Sequence, residues 1–132
     1  MTWVKSTAKV FYDPYRPGLR KVRPGTLVVA NVDPGIAELY RYWVRKRHGL
    51  ILQNTAFLPH ITIVDGKVKN DNQHPMWKKF HGQVIDFEYS VDMEQHWKFW
   101  TLPVRSKKLE EIRQSLGLNP NYNFHITFGR ME

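Results

Sequence analysis

The chain contains no cysteine, which excludes several kinds of site at once. None of its 132 residues can form a disulfide, bind zinc through a thiolate or act as a cysteine nucleophile. The absence is compatible with a reducing cytoplasm. A chain of this length is expected to form a single domain (residues 1–132) and to bury a core without covalent cross-links.

Long hydrophobic segments are also missing. The longest apolar runs, such as residues 26–30, are far shorter than the roughly 20 residues of a membrane-spanning helix. Residues 1–10 alternate polar with apolar side chains and do not form the apolar core of a secretory signal. We therefore expect a soluble cytoplasmic protein with no membrane partner, and the sequence indicates no obligate protein partner.

Acidic residues are outnumbered, with 12 Asp and Glu against 20 Lys and Arg and a net charge of +8. Such a surplus favours a polyanionic partner, a nucleotide or a nucleic acid such as RNA. The alternative is a generally basic, soluble surface. The 5 Trp, 6 Tyr and 7 Phe residues offer rings for base stacking, although most aromatic residues belong to cores.

The hydrophobic pattern of the first half predicts a strand-turn-helix unit. Residues 1–25 form an N-terminal arm that begins as a strand, and residues 26–32 are the apolar run of a buried strand. Asp33 and Pro34 then suit a helix start and Gly49 suits its end, around the apolar stripe Ile36, Leu39, Tyr40, Trp43 and Val44. Residues 67–83 are a long polar loop and a candidate lid, with a short helix at 75–81.

The second half follows the same order of elements. Residues 84–93 and 96–104 are predicted strands, with a hairpin connection at 92–95. Ser106 suits the start of a helix whose stripe is Leu109, Ile112 and Leu116, and Gly117 ends it. We interpret the two halves as a duplication with approximate two-fold symmetry.

Each half ends in the same short phrase, His60-Ile-Thr-Ile63 and His125-Ile-Thr-Phe128. In a strand, successive side chains point to opposite faces, so the histidine and threonine of each phrase share one face and the apolar residues share the other. If the two strands are neighbours, two imidazoles and two hydroxyls converge. The other four histidines do not stand in such a phrase: His48, His74, His81 and His96.

Two imidazoles and two hydroxyls are sufficient for phosphodiester cleavage without a metal. An internal 2′-hydroxyl that attacks phosphorus needs a base, and the leaving oxygen needs an acid; histidine performs both tasks near neutral pH. The threonine hydroxyls can donate to the non-bridging oxygens. The sequence thus predicts that His60, Thr62, His125 and Thr127 are catalytic, without a metal or cofactor.

The phrases also have a purely structural and a metal-binding interpretation. In the structural interpretation, the phrases are two half-buried strands whose polar residues happen to be the same. A single histidine on a strand is more often structural than catalytic. On the second, the histidines hold zinc, because histidine is a frequent zinc ligand. Neither phrase has a third ligand at metal-binding spacing, and the nearest carboxylate, Asp65, lies in a turn.

The doubled phrase resembles the signature of the two-histidine (2H) phosphoesterase superfamily, two H-x-[ST]-x motifs with apolar flanks, over residues 26–129. The resemblance implies an α+β fold, in which two antiparallel sheets with flanking helices form a concave cleft. It also implies that His60, Thr62, His125 and Thr127 carry catalysis. Members process 2′,3′-cyclic phosphate ends, 2′-5′ linkages and cyclic nucleotides.

Within the superfamily, the small size, the aromatic arm and the tryptophan-bearing loop look most like the phage anti-CBASS phosphodiesterases. These enzymes degrade the cyclic di- and trinucleotide messengers of bacterial antiphage signalling, in the cytoplasm of the host. On this interpretation Tyr12, Trp77 and Trp100 are candidates for base stacking, and Lys21 and Arg23 for phosphate contact. The alternatives are an RNA-end or 2′-5′ oligonucleotide phosphodiesterase of the same superfamily and a non-catalytic nucleotide- or RNA-binding module.

Overall fold

The computed structural model describes residues 2–14, 25–55, 57–66 and 74–132. In these ranges the chain forms, in order, strands β1 (Trp3–Tyr12) and β2 (Leu27–Asn31), helix α1 (Pro34–His48), strands β3 (His60–Asp65), β4 (Val84–Ser90), β5 (Glu94–His96) and β6 (Phe99–Arg105), helix α2 (Lys107–Ser115) and strand β7 (His125–Arg130). Neighbouring strands pair antiparallel throughout the described part of the sheet.

Six of these strands close into a ring. The hydrogen-bonded order is β4-β1-β2-β3-β7-β6-β5, and β4 also pairs with β6. The described part of the chain is therefore a closed, six-stranded antiparallel β-barrel with β5 attached outside the ring. The predicted fold class is wrong, because one closed sheet with two short helices replaces the expected α+β cleft between duplicated, helix-flanked halves.

The fold prediction failed because side-chain alternation shows which face of a strand is buried but not which strands pair. Strand β1 is 10 residues long and pairs with β2 at one end and with β4 along most of its length. The pairs Glu88–Arg105 and Tyr89–Val104 then join β4 to β6. Strands that were expected in separate halves thereby belong to one sheet.

Both helices begin and end where the sequence predicts. The side chain of Asp33 accepts a hydrogen bond from the Gly35 amide at 2.9 Å, and Gly49 ends α1 in the left-handed conformation. The Ser106 hydroxyl accepts from the Leu109 amide at 3.3 Å and begins α2. Helix α1 packs against β7, and α2 packs against β3 and β4. Neither helix of the described ranges is long and apolar enough to cross a membrane.

The hairpin of the second half differs from the prediction. The sequence predicts a connection at 92–95, but Glu94–His96 is strand β5 and the turn lies at Trp97 and Lys98. Trp97 has a φ of 56°. Bulky side chains seldom adopt this conformation, so the sequence contains no turn signal at this position.

The predicted lid loop is described only in part, because residues 67–73 lie outside the described residues. The expected helix at 75–81 is wrong: this segment is a series of turns, in which each of the Trp77, Lys79 and His81 amides donates to a carbonyl three residues earlier. The Gly82 amide donates to the Val10 carbonyl at 2.7 Å, which anchors this end of the loop to β1.

The packing of Tyr40 predicts a loss of stability at alkaline pH. Its ring lies 5.9 Å from the rings of both Tyr89 and Phe128, and burial, reinforced by Tyr89, raises the pKa of Tyr40 to about 12. The folded-state pKa thus exceeds the ordinary value of 10.0, so this contribution to stability is complete below pH 10 and is lost as the pH rises towards 12.

Urea unfolding across this pH range tests the expectation. Tyr40→Phe should show a shallower decline of the unfolding midpoint between pH 10 and 12 than the unaltered protein. Tyr42→Phe, at an exposed position of the same helix, should retain the steep decline. An equally steep decline in Tyr40→Phe would contradict the assignment.

Candidate active site

The two histidine phrases lie on neighbouring strands. Strand β3 pairs with β7 in antiparallel orientation, with Ile61 opposite Ile126. One step outward in each direction, this register places His60 beside Thr127 and His125 beside Thr62. The apolar residues of the phrases, Ile61, Ile63, Ile126 and Phe128, are fully buried, whereas the histidines and threonines are partly exposed. The four predicted catalytic residues therefore share one face of the sheet.

The register also gives the spacing within this group. Directly opposed residues of an antiparallel pair have Cβ atoms about 4.5–5.5 Å apart, and diagonal neighbours about 7–8 Å apart. Each imidazole thus lies beside a hydroxyl of the other strand, and the two imidazoles lie across a diagonal. A phosphodiester group between them would have one imidazole on each side.

Nδ1 has the same kind of hydrogen-bond partner in both imidazoles. Nδ1 of His60 lies 2.7 Å from the carbonyl oxygen of Leu58, and Nδ1 of His125 lies 2.9 Å from that of Asn123, two residues upstream in both cases. A carbonyl oxygen only accepts, so Nδ1 carries a proton in both rings. In a neutral ring Nε2 then holds the lone pair, and it is the atom that exchanges protons with a substrate.

An arginine from a helix holds the backbone at the end of each phrase. Nη1 of Arg41, on α1, donates to the Phe128 carbonyl at 2.8 Å, and Nη1 of Arg113, on α2, donates to the Ile63 carbonyl at 2.8 Å. Arg113 also donates through Nε to the Asn119 carbonyl at 2.7 Å. Burial lowers the pKa of Arg113 from its ordinary value. Each helix is thereby fixed to one of the two histidine strands.

The aromatic residues predicted to stack on bases lie in the interior. Tyr12 and Trp77 are 2% and 8% exposed, and their rings contact each other at 5.1 Å. Nε1 of Trp77 donates to Asp13 Oδ2 at 3.0 Å, and burial raises the pKa of Tyr12. Trp100 is 7% exposed and contacts the His48 ring at 5.4 Å. The structure does not bring these three rings to the histidine face.

Lys21 and Arg23, the predicted phosphate contacts, lie outside the described residues. The substrate-binding roles of these two side chains and of the three buried aromatic residues stay predictions. Among the described residues, no group of three or more His, Asp or Glu side chains is arranged to hold a metal ion.

The sheet register adds a cation that the sequence alone did not indicate. His60 pairs with Asn31, and Asn31 pairs with Lys9 on β1, so these residues form one row across the outer face. Lys9 is exposed, and its Nζ lies 5.7 Å from the centre of the Phe11 ring on the same face. Alternation with buried Val10 is visible in the sequence, but the alignment of β1 with β3 through β2 is not.

We expect Lys9→Ala to raise KM for an anionic nucleotide by about 3- to 10-fold at low ionic strength, with little change in kcat, because Lys9 attracts phosphate without touching the reacting atoms. Steady-state kinetics at two salt concentrations measure this effect. Lys46→Ala, an exposed site on α1, is the matched control. An equal change of KM in both variants would show that Lys9 contributes only general charge.

Comparison of the chain with protein-family models, with curated proteins and with solved structures gave no match in any of the three searches.

Proposed function

We propose that this protein is a metal-independent phosphodiesterase that cleaves 3′-5′ bonds of cyclic di- and trinucleotides by attack of the ribose 2′-hydroxyl. The observation that supports it is the pairing of β3 with β7, in which two histidines and two threonines alternate on one exposed face. Both imidazoles use Nδ1 for a backbone carbonyl, which leaves Nε2 as the basic atom of each neutral ring.

The reaction needs one proton removed and one supplied. Nε2 of one histidine takes the 2′-hydroxyl proton while the 2′-oxygen bonds to phosphorus. The P–O5′ bond breaks, and the second histidine, protonated at Nε2, gives its proton to the leaving 5′-oxygen. The products are a 2′,3′-cyclic phosphate and a 5′-hydroxyl. Thr62 and Thr127 donate to the non-bridging oxygens, where charge must be stabilised in the transition state.

The choice of substrate rests on charge and on resemblance. The net charge of +8 favours anionic substrates. The two H-x-T-x phrases resemble those of the 2H phosphoesterases, and the small size, the aromatic N-terminal arm and the tryptophan-bearing loop look most like those of the phage anti-CBASS phosphodiesterases. The proposed role is accordingly to silence a defence signal in the cytoplasm of a bacterial host. The closed barrel differs from the fold implied by that resemblance, so the fold adds no support to this choice of substrate.

A substrate panel in the presence of EDTA tests the proposal. Purified protein is incubated with 3′-5′ cyclic dinucleotides and trinucleotides, a linear 2′-5′ oligoadenylate and an RNA with a 2′,3′-cyclic phosphate end, and the products are separated by chromatography. We expect cleavage of the 3′-5′ cyclic substrates to yield 2′,3′-cyclic phosphate ends. Preferential turnover of the 2′-5′ or RNA-end substrate would instead support an RNA-end or 2′-5′ oligonucleotide phosphodiesterase. Binding without cleavage of any substrate would indicate a nucleotide-binding module.

A further inference from the structure

A small pocket adjoins the second histidine phrase on the side away from β3. Its volume is about 180 Å³, and His125 and Thr127 form part of its wall. The other lining residues are Glu94, His96, Phe99, Thr101 and Asn123. Glu94 pairs with Thr101, and Thr101 pairs with Thr127, so a direct row across β5, β6 and β7 connects the carboxylate with the phrase.

The polar side of this pocket is an imidazole-carboxylate pair. Nε2 of His96 lies 3.1 Å from Oε2 of Glu94, and the two side chains are 62% and 50% exposed. A pair this exposed contributes little to stability, so the fold does not depend on it. The sequence alone does not identify His96 as a site residue, because only the pairing of β5 with β6 brings it beside the second histidine phrase.

The apolar side of the pocket is aromatic. Its aromatic lining residue is the half-buried Phe99. Beside the pocket, the Phe99 ring contacts the Trp97 ring edge-on at 5.9 Å, and Lys98 Nζ lies 4.6 Å from the centre of the Trp97 ring. Trp97 is 78% exposed, although large apolar side chains are normally withdrawn from water. An aromatic wall next to a polar group that fixes orientation is typical of sites for flat heterocycles.

We infer that this pocket binds a nucleobase of the substrate and that guanine is the base it fits, with Glu94 accepting hydrogen bonds from guanine N1–H and its 2-amino group. This inference rests on the proposed function, since it assigns the base next to the phosphodiester at His125. A carboxylate only accepts hydrogen bonds. Guanine presents two adjacent donors on one edge. Adenine and cytosine place one amino group beside a ring acceptor, and uracil places its single donor between two carbonyl oxygens that would face the carboxylate.

Kinetics with matched substrates test the base preference. The unaltered protein should cleave a guanine-containing 3′-5′ cyclic dinucleotide faster than its adenine counterpart. Glu94→Gln should lower kcat/KM for the guanine substrate by about 10- to 100-fold, as expected for loss of hydrogen bonds to a charged group, with about 2-fold change or less for the adenine substrate. Glu111→Gln breaks a comparable surface pair with Lys108 on α2 and should leave both rates unchanged.

Binding of 5′-GMP and 5′-AMP, followed by calorimetry on the unaltered protein and both variants, separates this inference from the proposed function. Tighter binding of 5′-GMP that is lost in Glu94→Gln and kept in Glu111→Gln supports the pocket even if no phosphodiester is cleaved. Equal affinity for the two nucleotides, no binding of 5′-GMP, or the same guanine-to-adenine rate ratio in Glu94→Gln would overturn the inference. In each of these cases cleavage by the unaltered protein would still support the proposed function.

Discussion

Replacement of His60 or His125 by alanine is expected to lower kcat for a cyclic dinucleotide by about 10²- to 10⁴-fold in each case, the usual range for removal of a general acid or base. Both imidazoles are needed in one turnover, because the 2′-hydroxyl must lose a proton and the 5′-oxygen must gain one. A variant that lacks both histidines should therefore lose less kcat than the product of the two single losses. Thr62→Ala and Thr127→Ala are expected to lose less, since water can partly replace a hydroxyl donor.

Rapid-quench measurement of the cyclic phosphate product gives kcat, and circular dichroism shows whether each variant is folded. His74→Ala is the control, since His74 is a partly exposed residue in the turn before Trp77, where its Nδ1 accepts from the Met76 amide. Full turnover by either folded phrase variant would exclude the acid-base assignment.

Replacement of Arg113 by methionine is expected to destabilise the fold and to reduce catalysis at the same time. The change keeps most of the apolar stem but removes the donors to the Ile63 and Asn119 carbonyls, and it removes the cation that lies 4.0 Å from the centre of the Tyr122 ring. A partly buried carbonyl left without its charged donor costs about 1–3 kcal/mol. Because Ile63 follows Thr62 directly, we also expect a lower kcat with a nearly unchanged KM.

Arg41→Met should likewise lower stability and kcat, because it removes the donor to the Phe128 carbonyl in the second histidine phrase. Arg45→Met, one turn further along α1 at an exposed position, is the matched control and should alter neither property. Urea unfolding and steady-state kinetics on the three variants measure the two effects. Normal kcat in a destabilised Arg113→Met would show that the arginine stabilises the fold without positioning the phrase.

Helix α1 and strand β2 could be predicted from the sequence because their signals are local. The stripe from Ile36 to Val44, the cap at Asp33 and the glycine at 49 specify α1 without reference to the rest of the chain, and the structure confirms its bounds. The buried strand at 26–32 is confirmed for the same reason, as β2 with its three central residues buried.

The closed sheet could not be predicted, because pairing is a non-local property. Nothing in the composition of β4 or β6 indicates that Tyr89 will lie opposite Val104. The same limit affects the candidate site. The repeated phrase locates His60 and His125, whereas Lys9 and Glu94 join the site only through the alignment of strands distant in sequence.

The aromatic candidates show a second limit. The composition gives the number of aromatic rings but not where they lie. In β1, alternation directs Tyr12 inward with Val10, while Phe11 points outward. A tyrosine and a phenylalanine at adjacent positions thus have opposite environments. Because Val10 faces inward, its neighbour Phe11 faces outward and is the better candidate for base stacking than Tyr12.

The pairing of β4 with β6 has a consequence for behaviour at high concentration. The ring pairs each of its six strands with two neighbours, although β4 meets β6 at two residue pairs only, and β5, which lies outside the ring, has one free hydrogen-bonding edge in the described part of the barrel. This strand has three residues, Glu94, Gln95 and His96, all exposed and all polar. Short, polar edges are poor templates for strand addition from another molecule. The edge of β5 is accordingly a poor starting point for intermolecular β-aggregation.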